Sequence, residues 1–264
     1  MNTITPESAG QGASPATLTS RTLAGRVAIV TGSTSGIGLA ILEAFAKAGA
    51  HVVMNGFGDA AELAAAAQRI AASHDVDIPF HGADMSRPAE IADLVATTEA
   101  RFGRVDILVN NAGIQHVAPV DEFPVEKWDA ILAINLSSAF HATQQVLPGM
   151  KHRRFGRIIN IASAHGLVGS PFKSAYVAAK HGVLGLTKVT ALETAEQGIT
   201  ANAICPLAAT RMTMNDKVIE GMKKRLEADG ATPVGNAPDE FAAFVKADVP
   251  RWARLVKYAG ATPE

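Results

Sequence analysis

The chain has 264 residues, of which 48% are hydrophobic, and its formal net charge at pH 7 is −1. A chain of this length can form one large α/β domain or two small ones around a sizeable core, and this hydrophobic content excludes wholesale disorder. The charge balance gives no long-range attraction to nucleic acid, and no apolar run is long enough to cross a bilayer. Cys205, the one cysteine, cannot form an internal disulfide.

Residues 1–24 are predicted to form a flexible N-terminal tail, because "MNTITPESAGQGASPATLTS" is rich in Ser, Thr, Gly and Pro. This stretch lacks the basic and apolar regions of a secretory signal. We therefore expect a cytoplasmic protein with no membrane or nucleic-acid partner.

From Arg26 onwards, short apolar runs rich in β-branched residues alternate with helical patterns. Strands are predicted at "RVAIVTG", "AHVVMNG", "DIPFHGAD", "VDILVNNAG", "GRIINIAS" and "GITANAIC". Helices are predicted at "GLAILEAFAKAG", at "DAAELAAAAQRIAAS", from Pro88 to a stop at Gly103, from about Val125 to Leu147, and from Ser174 to about Glu196. This alternation predicts a Rossmann-like α/β fold over residues 25–206, a doubly wound parallel sheet with helices on both faces.

The turn "TGSTSGIG", Thr31 to Gly38, joins the first predicted strand to the first helix. Its glycines allow a tight turn and a close backbone approach to a pyrophosphate, and the helix N-terminus offers unpaired N–H groups. The spacing differs from the commoner G-x-G-x-x-G pattern, and glycine-rich turns also exist simply to reverse a chain. The position directly after the first strand favours cofactor binding.

The end of the second strand indicates which cofactor binds. The stretch "NGFGDAAE" has no Lys or Arg for a 2′-phosphate, and its charges are Asp59 and Glu62, so NAD is favoured over NADP. The acid that usually binds the ribose is also missing from the strand end. Asp84, after the third strand, either accepts from the adenine amino group or caps the helix near Pro88; both interpretations stay open.

Four polar residues follow the later strands or lie on the later helices. Tyr176 and Lys180 are four residues apart on one helix face, so the ammonium is expected to favour the phenolate and allow proton transfer at neutral pH. Ser163, at the end of the fifth strand, can hydrogen-bond the same substrate oxygen, and Asn135 suits an inward-facing proton relay. Such Tyr/Lys pairs also occur by chance on surface helices, but here they accompany a strand-end Ser and a glycine turn.

These features together resemble the short-chain dehydrogenase/reductase family: "TGSTSGIG", "NNAG" at 110–113, Asn135, Ser163 and "YVAAK". The resemblance runs from about Leu23 to Pro206. Within the family, "NGFGDAAE", "NNAGIQH", "FPVEKWDAIL", "GRIINIASAHGLV" and "KSAYVAAKHGV" are similar to bacterial members that oxidise (R)-3-hydroxybutyrate to acetoacetate with NAD in ketone body metabolism.

The resemblance implies a role for each residue of the site. Asn135, Ser163, Tyr176 and Lys180 would form a catalytic tetrad, with Lys180 also binding the nicotinamide ribose. The implied cofactor contacts are Gly32, Thr34, Ser35, Gly36, Ile37, Gly38, Phe57, Asp84, Met85, Asn111, Ala112, Gly113, Tyr176 and Lys180. The implied substrate contacts are Gln115, Ser163, His165, Lys173 and Tyr176. Of these, Gln115, His165 and Lys173 resemble a clamp for the substrate carboxylate; singly, each could also be an ordinary surface polar group.

After Pro206 the sequence departs from the family. Leu207 replaces an expected glycine, Arg211 stands where threonine is expected, and residues 207–264 are predicted to be helical, so that helices replace the last strand of the family. From Met222 on, the chain resembles the C-terminus of the periplasmic tricarboxylate-binding receptors called Bug proteins. We infer a splice of two coding sequences near Pro206; the alternative is a divergent amphipathic lid.

The family resemblance also implies a homo-oligomer, a tetramer in the family, whose intact contact here would be the helices carrying Asn135 and Tyr176. No metal is predicted, because the histidines show no ligand spacing with a cysteine or carboxylate cluster. Two other functions stay open: a related reductase acting on a different, larger ketone, and an impaired chimera that binds dinucleotide without turnover.

Overall fold

The structure is a computed structural model that describes residues 21–206. The predictions for residues 1–20 and 207–264, including the helical C-terminal segment and the replaced strand, lie outside the described residues. Residues 21–24, which the sequence assigns to the tail, form a turn against the fold. The Leu23 N–H donates to the Ala48 carbonyl at 2.9 Å, and the Arg21 guanidinium lies 3.3 Å from the Asp75 carboxylate.

Within the described range the sheet has six parallel strands in the order β3-β2-β1-β4-β5-β6. The strands are β1 (Val27–Val30), β2 (His51–Asn55), β3 (Phe80–His81), β4 (Ile107–Asn110), β5 (Gly156–Ile161) and β6 (Ile199–Ile204). The predicted Rossmann-like parallel sheet is confirmed. The chain order reverses between β1 and β4, and such a switch point is where open α/β sheets bind ligands.

The helices are α1 (Gly36–Lys47), α2 (Ala60–His74), α3 (Pro88–Phe102), α4 (Val125–Leu132), α5 (Ser138–Arg153) and α6 (Ser174–Thr194). The starts of α2 and α3 follow directly from the sequence. Asp59 caps α2 by accepting from the N–H groups of Ala61 and Glu62, and Pro88 opens α3, which ends at Gly103 with φ of 74°.

The predicted single helix from Val125 to Leu147 is wrong in two respects. A π-helical turn, Ala133–Ser137, divides it into α4 and α5. The second helix also continues through Pro148 to Arg153. A proline removes one backbone hydrogen bond from a helix, but Val146 and Met150, both fully buried, hold the helix against the core on either side of it.

Two apolar clusters lie on opposite faces of the sheet. On one face Ile29, Leu108 and Ile158 pack with residues of α3 and α5. On the other face Val30 and Val109 pack with residues of α1 and α2. Helices therefore cover both faces, and the polar residues of interest lie where β1, β4 and β5 end. Among the helices of residues 21–206, none is both long and apolar enough to cross a membrane.

Candidate active site

The turn from Thr31 to Gly38 combines close packing with open space. Gly32 has φ of 63°, and a Cβ there would lie 2.9 Å from the Ala112 Cα, so only glycine fits against the loop after β4. A Cβ on Gly38 would collide with the Gly32 carbonyl. Gly36 has φ of 58°, but no atom lies within 4 Å of the position of its Cβ. This glycine borders the open side, where a ligand can approach the backbone.

The N-terminus of α1 is suited to an anion. Ser35 has an extended backbone and its side chain does not cap the helix, and the first turn carries no acidic residue. The first N–H groups of a helix lack intrahelical partners and carry a partial positive charge. With the glycine cradle, this arrangement fits the pyrophosphate of a dinucleotide.

Hydrogen bonds between β1 and the loop after β4 hold the glycine turn in place. The Thr31 hydroxyl accepts from the N–H groups of Asn111 and Ala112, both at 3.0 Å. The Asn111 side-chain amide donates to the carbonyls of Thr31 at 2.9 Å and Gly32 at 3.0 Å. The Asn111 amide therefore fixes the turn, and its predicted contact with the cofactor stays a prediction.

Asn55 is a site residue that the sequence reasoning missed. Its side chain is fully buried at the end of β2. Its Oδ1 accepts from the Gly32 N–H at 3.2 Å, and its Nδ2 donates to the His81 and Ala83 carbonyls, both at 3.0 Å. One amide thus joins the glycine turn to the end of β3. The sequence did contain a sign of this role, because Asn55 is the polar last residue of a strand whose preceding residues, Val52 to Met54, are apolar.

The loop after β2 lies beside the glycine turn. The Thr34 hydroxyl donates to the Phe57 carbonyl at 3.4 Å, and a Cβ on Gly56, whose φ is 150°, would lie 2.8 Å from the Thr34 Cγ2. The Phe57 side chain is exposed. Asp59 caps α2 through its Oδ1.

Asp84 forms a turn ahead of α3 and is not the cap of that helix, which is Arg87. Its Oδ1 accepts from the Ser86 N–H at 2.8 Å and the Ser86 hydroxyl at 2.7 Å. These hydrogen bonds, with a smaller contribution from Arg87, lower the pKa of Asp84. The neighbouring Met85 side chain packs in the core. Contacts of Asp84 and Met85 with adenine stay predictions.

Tyr176 and Lys180 lie on the same side of α6. The Lys180 Nζ is 5.6 Å from the centre of the Tyr176 ring and donates to the Ile161 carbonyl, at the end of β5, at 2.7 Å. Lys180 is 4% exposed. Burial lowers its pKa to about 8, against a smaller opposing effect of Cys205.

The expectation that Lys180 makes the Tyr176 phenol acidic is wrong in direction. Burial raises the pKa of Tyr176, and a hydrogen bond with Ser163 offsets only part of that rise. The physical reason is that desolvation penalises the phenolate more than its neighbours stabilise it. Ser163 is itself buried, and its hydroxyl accepts from the His165 N–H at 3.1 Å.

Asn135 lies in the π-helical turn and is buried. Its Oδ1 accepts from the Ile114 N–H at 2.8 Å, and its Nδ2 donates to the Ile114 carbonyl at 2.9 Å. Both ends of the amide are therefore bound to one backbone unit of the loop after β4. The side chain positions that loop, next to Gly113, and its part in a proton relay stays a prediction.

The three clamp residues lie on two loops beside the Tyr/Lys pair. The His165 ring centre is 6.3 Å from that of Tyr176, edge-on. Desolvation lowers the pKa of His165, and the charge of Lys173 lowers it further. Gln115 is half-buried on the loop after β4.

The loop that carries Gln115 is joined to the segment before Lys173. The Ala118 N–H donates a hydrogen bond to the Phe172 carbonyl at 3.0 Å.

Residues 21–206 include no cluster of three or more His, Cys, Asp or Glu that could hold a metal ion. A glycine cradle at a helix N-terminus, with a half-buried tyrosine and a buried lysine on the helix after β5, is the arrangement of a Rossmann-fold oxidoreductase site.

Comparison with known proteins identifies the family. The pattern described as "short chain dehydrogenase" matches residues 26–222, continuing past Pro206. A D-beta-hydroxybutyrate dehydrogenase of Cupriavidus necator is 62% identical over 184 residues, 70% of each chain. A D-beta-hydroxybutyrate dehydrogenase of Rhizobium meliloti is 58% identical over 181 residues, 69% of this chain and 70% of that one.

A third curated relative and a crystal structure agree with this assignment. An acetoacetyl-CoA reductase of Rhizobium meliloti is 43% identical over 181 residues, 69% of this chain and 73% of its own. A crystal structure described as a short-chain alcohol dehydrogenase from Sinorhizobium meliloti matches with a TM-score of 0.72 and 34% identity, over 78% of this chain and 81% of that one. The chain belongs to the short-chain dehydrogenase family; it is an oxidoreductase of the class that uses nicotinamide dinucleotides.

Proposed function

We propose that this protein oxidises (R)-3-hydroxybutyrate to acetoacetate with NAD. The observation that carries the proposal is the placement of His165 and Lys173. The His165 ring lies 6.3 Å from the Tyr176 ring, and Lys173 directly precedes α6, the helix that carries Tyr176. Groups that can bind a carboxylate thereby lie next to groups that can act on an alcohol. The names of the relatives that are 62% and 58% identical support the same substrate.

The proposed proton acceptor is Tyr176. Its phenolate takes the substrate hydroxyl proton as the substrate C–H bond breaks, and Ser163 donates to the same substrate oxygen. When bound, the nicotinamide ring supplies the hydride acceptor. The Lys180 ammonium lies beside the Tyr176 ring and is held there by its hydrogen bond to the Ile161 carbonyl. Because burial raises the pKa of Tyr176, oxidation is expected to accelerate as the pH rises.

The clamp would orient a small hydroxy acid through its carboxylate. Lys173 supplies the positive charge, and Gln115 and His165 supply directed hydrogen bonds. His165 acts as a neutral imidazole, since its pKa is lowered by burial and by Lys173. A four-carbon substrate offers few other atoms to bind, so its carboxylate must provide most of the orientation.

NAD is proposed over NADP because the loop from Asn55 to Glu62 contains no Lys or Arg. A 2′-phosphate there would find no cation on this loop. Phe57, with its exposed ring, and the backbone of Gly56 are the groups that the loop offers to the adenosine ribose.

The proposal is tested by following NADH formation with the purified full-length protein and each isomer of 3-hydroxybutyrate. Turnover with the R isomer and not with the S isomer is expected, with NAD preferred to NADP. Equal rates with both isomers would contradict the substrate assignment. A preference for NADP would contradict the cofactor assignment.

A second candidate is reduction of a larger ketone. It is favoured by the 43% identity to an acetoacetyl-CoA reductase and by three exposed apolar residues near the clamp, Leu167, Val168 and Phe172. A larger ketone would bind mainly through such surfaces, so Lys173→Ala would leave its turnover nearly unchanged. A large loss with Lys173→Ala favours the hydroxy acid.

The proposed homo-oligomer would form through the helices that carry Asn135 and Tyr176. Phe140 on α5, together with Val189 and Leu192 on α6, exposes apolar side chains, and such residues are enriched where subunits meet. Light scattering on the purified protein measures the mass directly; a monomer at assay concentrations would refute this proposal.

A further inference from the structure

Phe172 has an unusual backbone conformation for a bulky residue. In the described part of the chain, the non-glycine residues with positive φ are Asp75, Arg154 and Phe172. Asp75 and Arg154 end helices, where a left-handed residue is common. Phe172, with φ of 65°, ends no helix and immediately precedes Lys173. Strained residues of this kind cluster at functional sites.

The Phe172 ring does not explain this conformation. The side chain is 56% exposed, so apolar packing on the described residues is incomplete. The backbone carbonyl, in contrast, accepts a hydrogen bond at 3.0 Å from the Ala118 N–H. The strained conformation therefore coincides with a link between two loops.

That link joins the two halves of the carboxylate clamp. Ala118 follows Gln115 on the loop after β4, and the same loop is held further back by Asn135 through Ile114. Phe172 precedes Lys173, whose carbonyl accepts from the Val177 N–H at 2.9 Å in the first turn of α6. The hydrogen bond between Ala118 and Phe172 is thus a direct tie between the Gln115 loop and the Lys173 segment.

We propose that Phe172 is a positioning residue: its left-handed backbone directs its carbonyl to Ala118 and so fixes the spacing between Gln115 and Lys173. A carboxylate can then meet both side chains at once. This inference rests on the proposed function, because the spacing matters only for a substrate held by its carboxylate. Small displacements of positioning groups can cost large factors in catalytic efficiency.

The test uses variants that differ in their tolerance of positive φ. Phe172→Val introduces a β-branched residue that strongly disfavours this region, whereas Phe172→Asn removes the same ring but tolerates it. Phe172→Val is expected to raise KM for (R)-3-hydroxybutyrate about tenfold, with kcat and the Kd for NAD nearly unchanged. Phe172→Asn is expected to rescue most of that loss.

A second pair of variants removes the other half of the link. Ala118→Pro deletes the donating N–H and should raise KM as Phe172→Val does, while Ala118→Ser keeps the N–H and serves as its matched control. If Phe172→Asn raises KM as much as Phe172→Val, the ring and not the backbone matters and the inference is wrong. It is also wrong if neither Phe172→Val nor Ala118→Pro changes KM. A wild-type protein without turnover of this substrate would instead overturn the proposed function itself.

Discussion

The ammonium of Lys180 lies 5.6 Å from the centre of the Tyr176 ring, one helical turn along α6. The same ammonium donates to the Ile161 carbonyl at 2.7 Å, so β5 and α6 together determine where the charge lies. Burial lowers the pKa of this group to about 8, which means that the folded protein holds the charge at a cost.

The pH dependence of stability should report this buried charge. Lys180 has a pKa of about 8 in the folded protein, against an ordinary lysine pKa of 10.5, so between these pH values the unfolded chain binds a proton that the folded protein does not. The contribution of Lys180 to the free energy of unfolding should therefore rise by roughly 3 kcal/mol in all as the pH rises through that window. Below about pH 8 this contribution is absent.

Lys180→Met should abolish that contribution, and Lys188→Met, at an exposed position of the same helix, should retain it. Urea unfolding of the three proteins across the alkaline range measures the difference. Identical pH dependence in wild type and Lys180→Met would show that the lysine titrates at its ordinary pKa.

Asn55→Ala should weaken both the fold and NAD binding. The substitution leaves the Gly32 N–H and the His81 and Ala83 carbonyls without their partner. Loss of a buried amide with three hydrogen bonds is expected to cost about 2–3 kcal/mol in the free energy of unfolding. Because the Gly32 turn loses its support, the Kd for NAD should rise about tenfold or more.

The matched control is Asn202→Ala, at an exposed position of β6. Chemical denaturation and titration calorimetry with NAD compare the two variants. Equal affinities would mean that Asn55 supports the strand ends but not the cofactor turn.

The parts of the fold that the sequence predicts are those set by local pattern. Continuous apolar strands, the glycine turn, the Pro88 start and the Gly103 stop each have a local physical cause, and each is found. The π-helical turn at Asn135 goes together with hydrogen bonds to Ile114, 21 residues away in the sequence, and a helical periodicity carries no information on such contacts.

The candidate site divides in the same way. Spacing alone puts Tyr176 and Lys180 on one helix face, and the structure agrees. The direction of the Tyr176 pKa shift depends on desolvation, which is a property of the packed site and not of a four-residue spacing. The role of Asn55 depends on contacts with β1 and β3, which lie far away in the sequence.

Lys173→Ala should separate substrate binding from chemistry. Removing the cation deprives the substrate carboxylate of its charged partner, so KM for (R)-3-hydroxybutyrate should rise at least about tenfold. The NAD affinity should not change. Lys188→Ala removes a charge from an exposed position of α6 and should leave KM as it is. Steady-state kinetics at saturating NAD decide; equal KM values for the two variants would contradict a clamp.

The ionisation of His165 should respond to the same substitution. Its pKa is lowered first by desolvation and then by the charge of Lys173. In Lys173→Ala the second cause disappears, so the pKa of His165 should move up towards its ordinary value of 6.5. NMR titration of the imidazole resonances, assigned with a His165→Gln variant, follows this change. An unchanged or lower pKa would show that Lys173 lies away from the imidazole.

The most direct test of the account is the rate of NADH formation from (R)-3-hydroxybutyrate by the wild-type protein and by Tyr176→Phe. The variant keeps the ring on α6 and loses only the oxygen that is proposed to take the substrate proton. The account predicts turnover by the wild type and a loss of at least about a hundredfold in kcat for the variant, with NAD affinity retained. A variant that matches the wild-type rate, or a wild type that binds NAD without turning over the substrate, would contradict it.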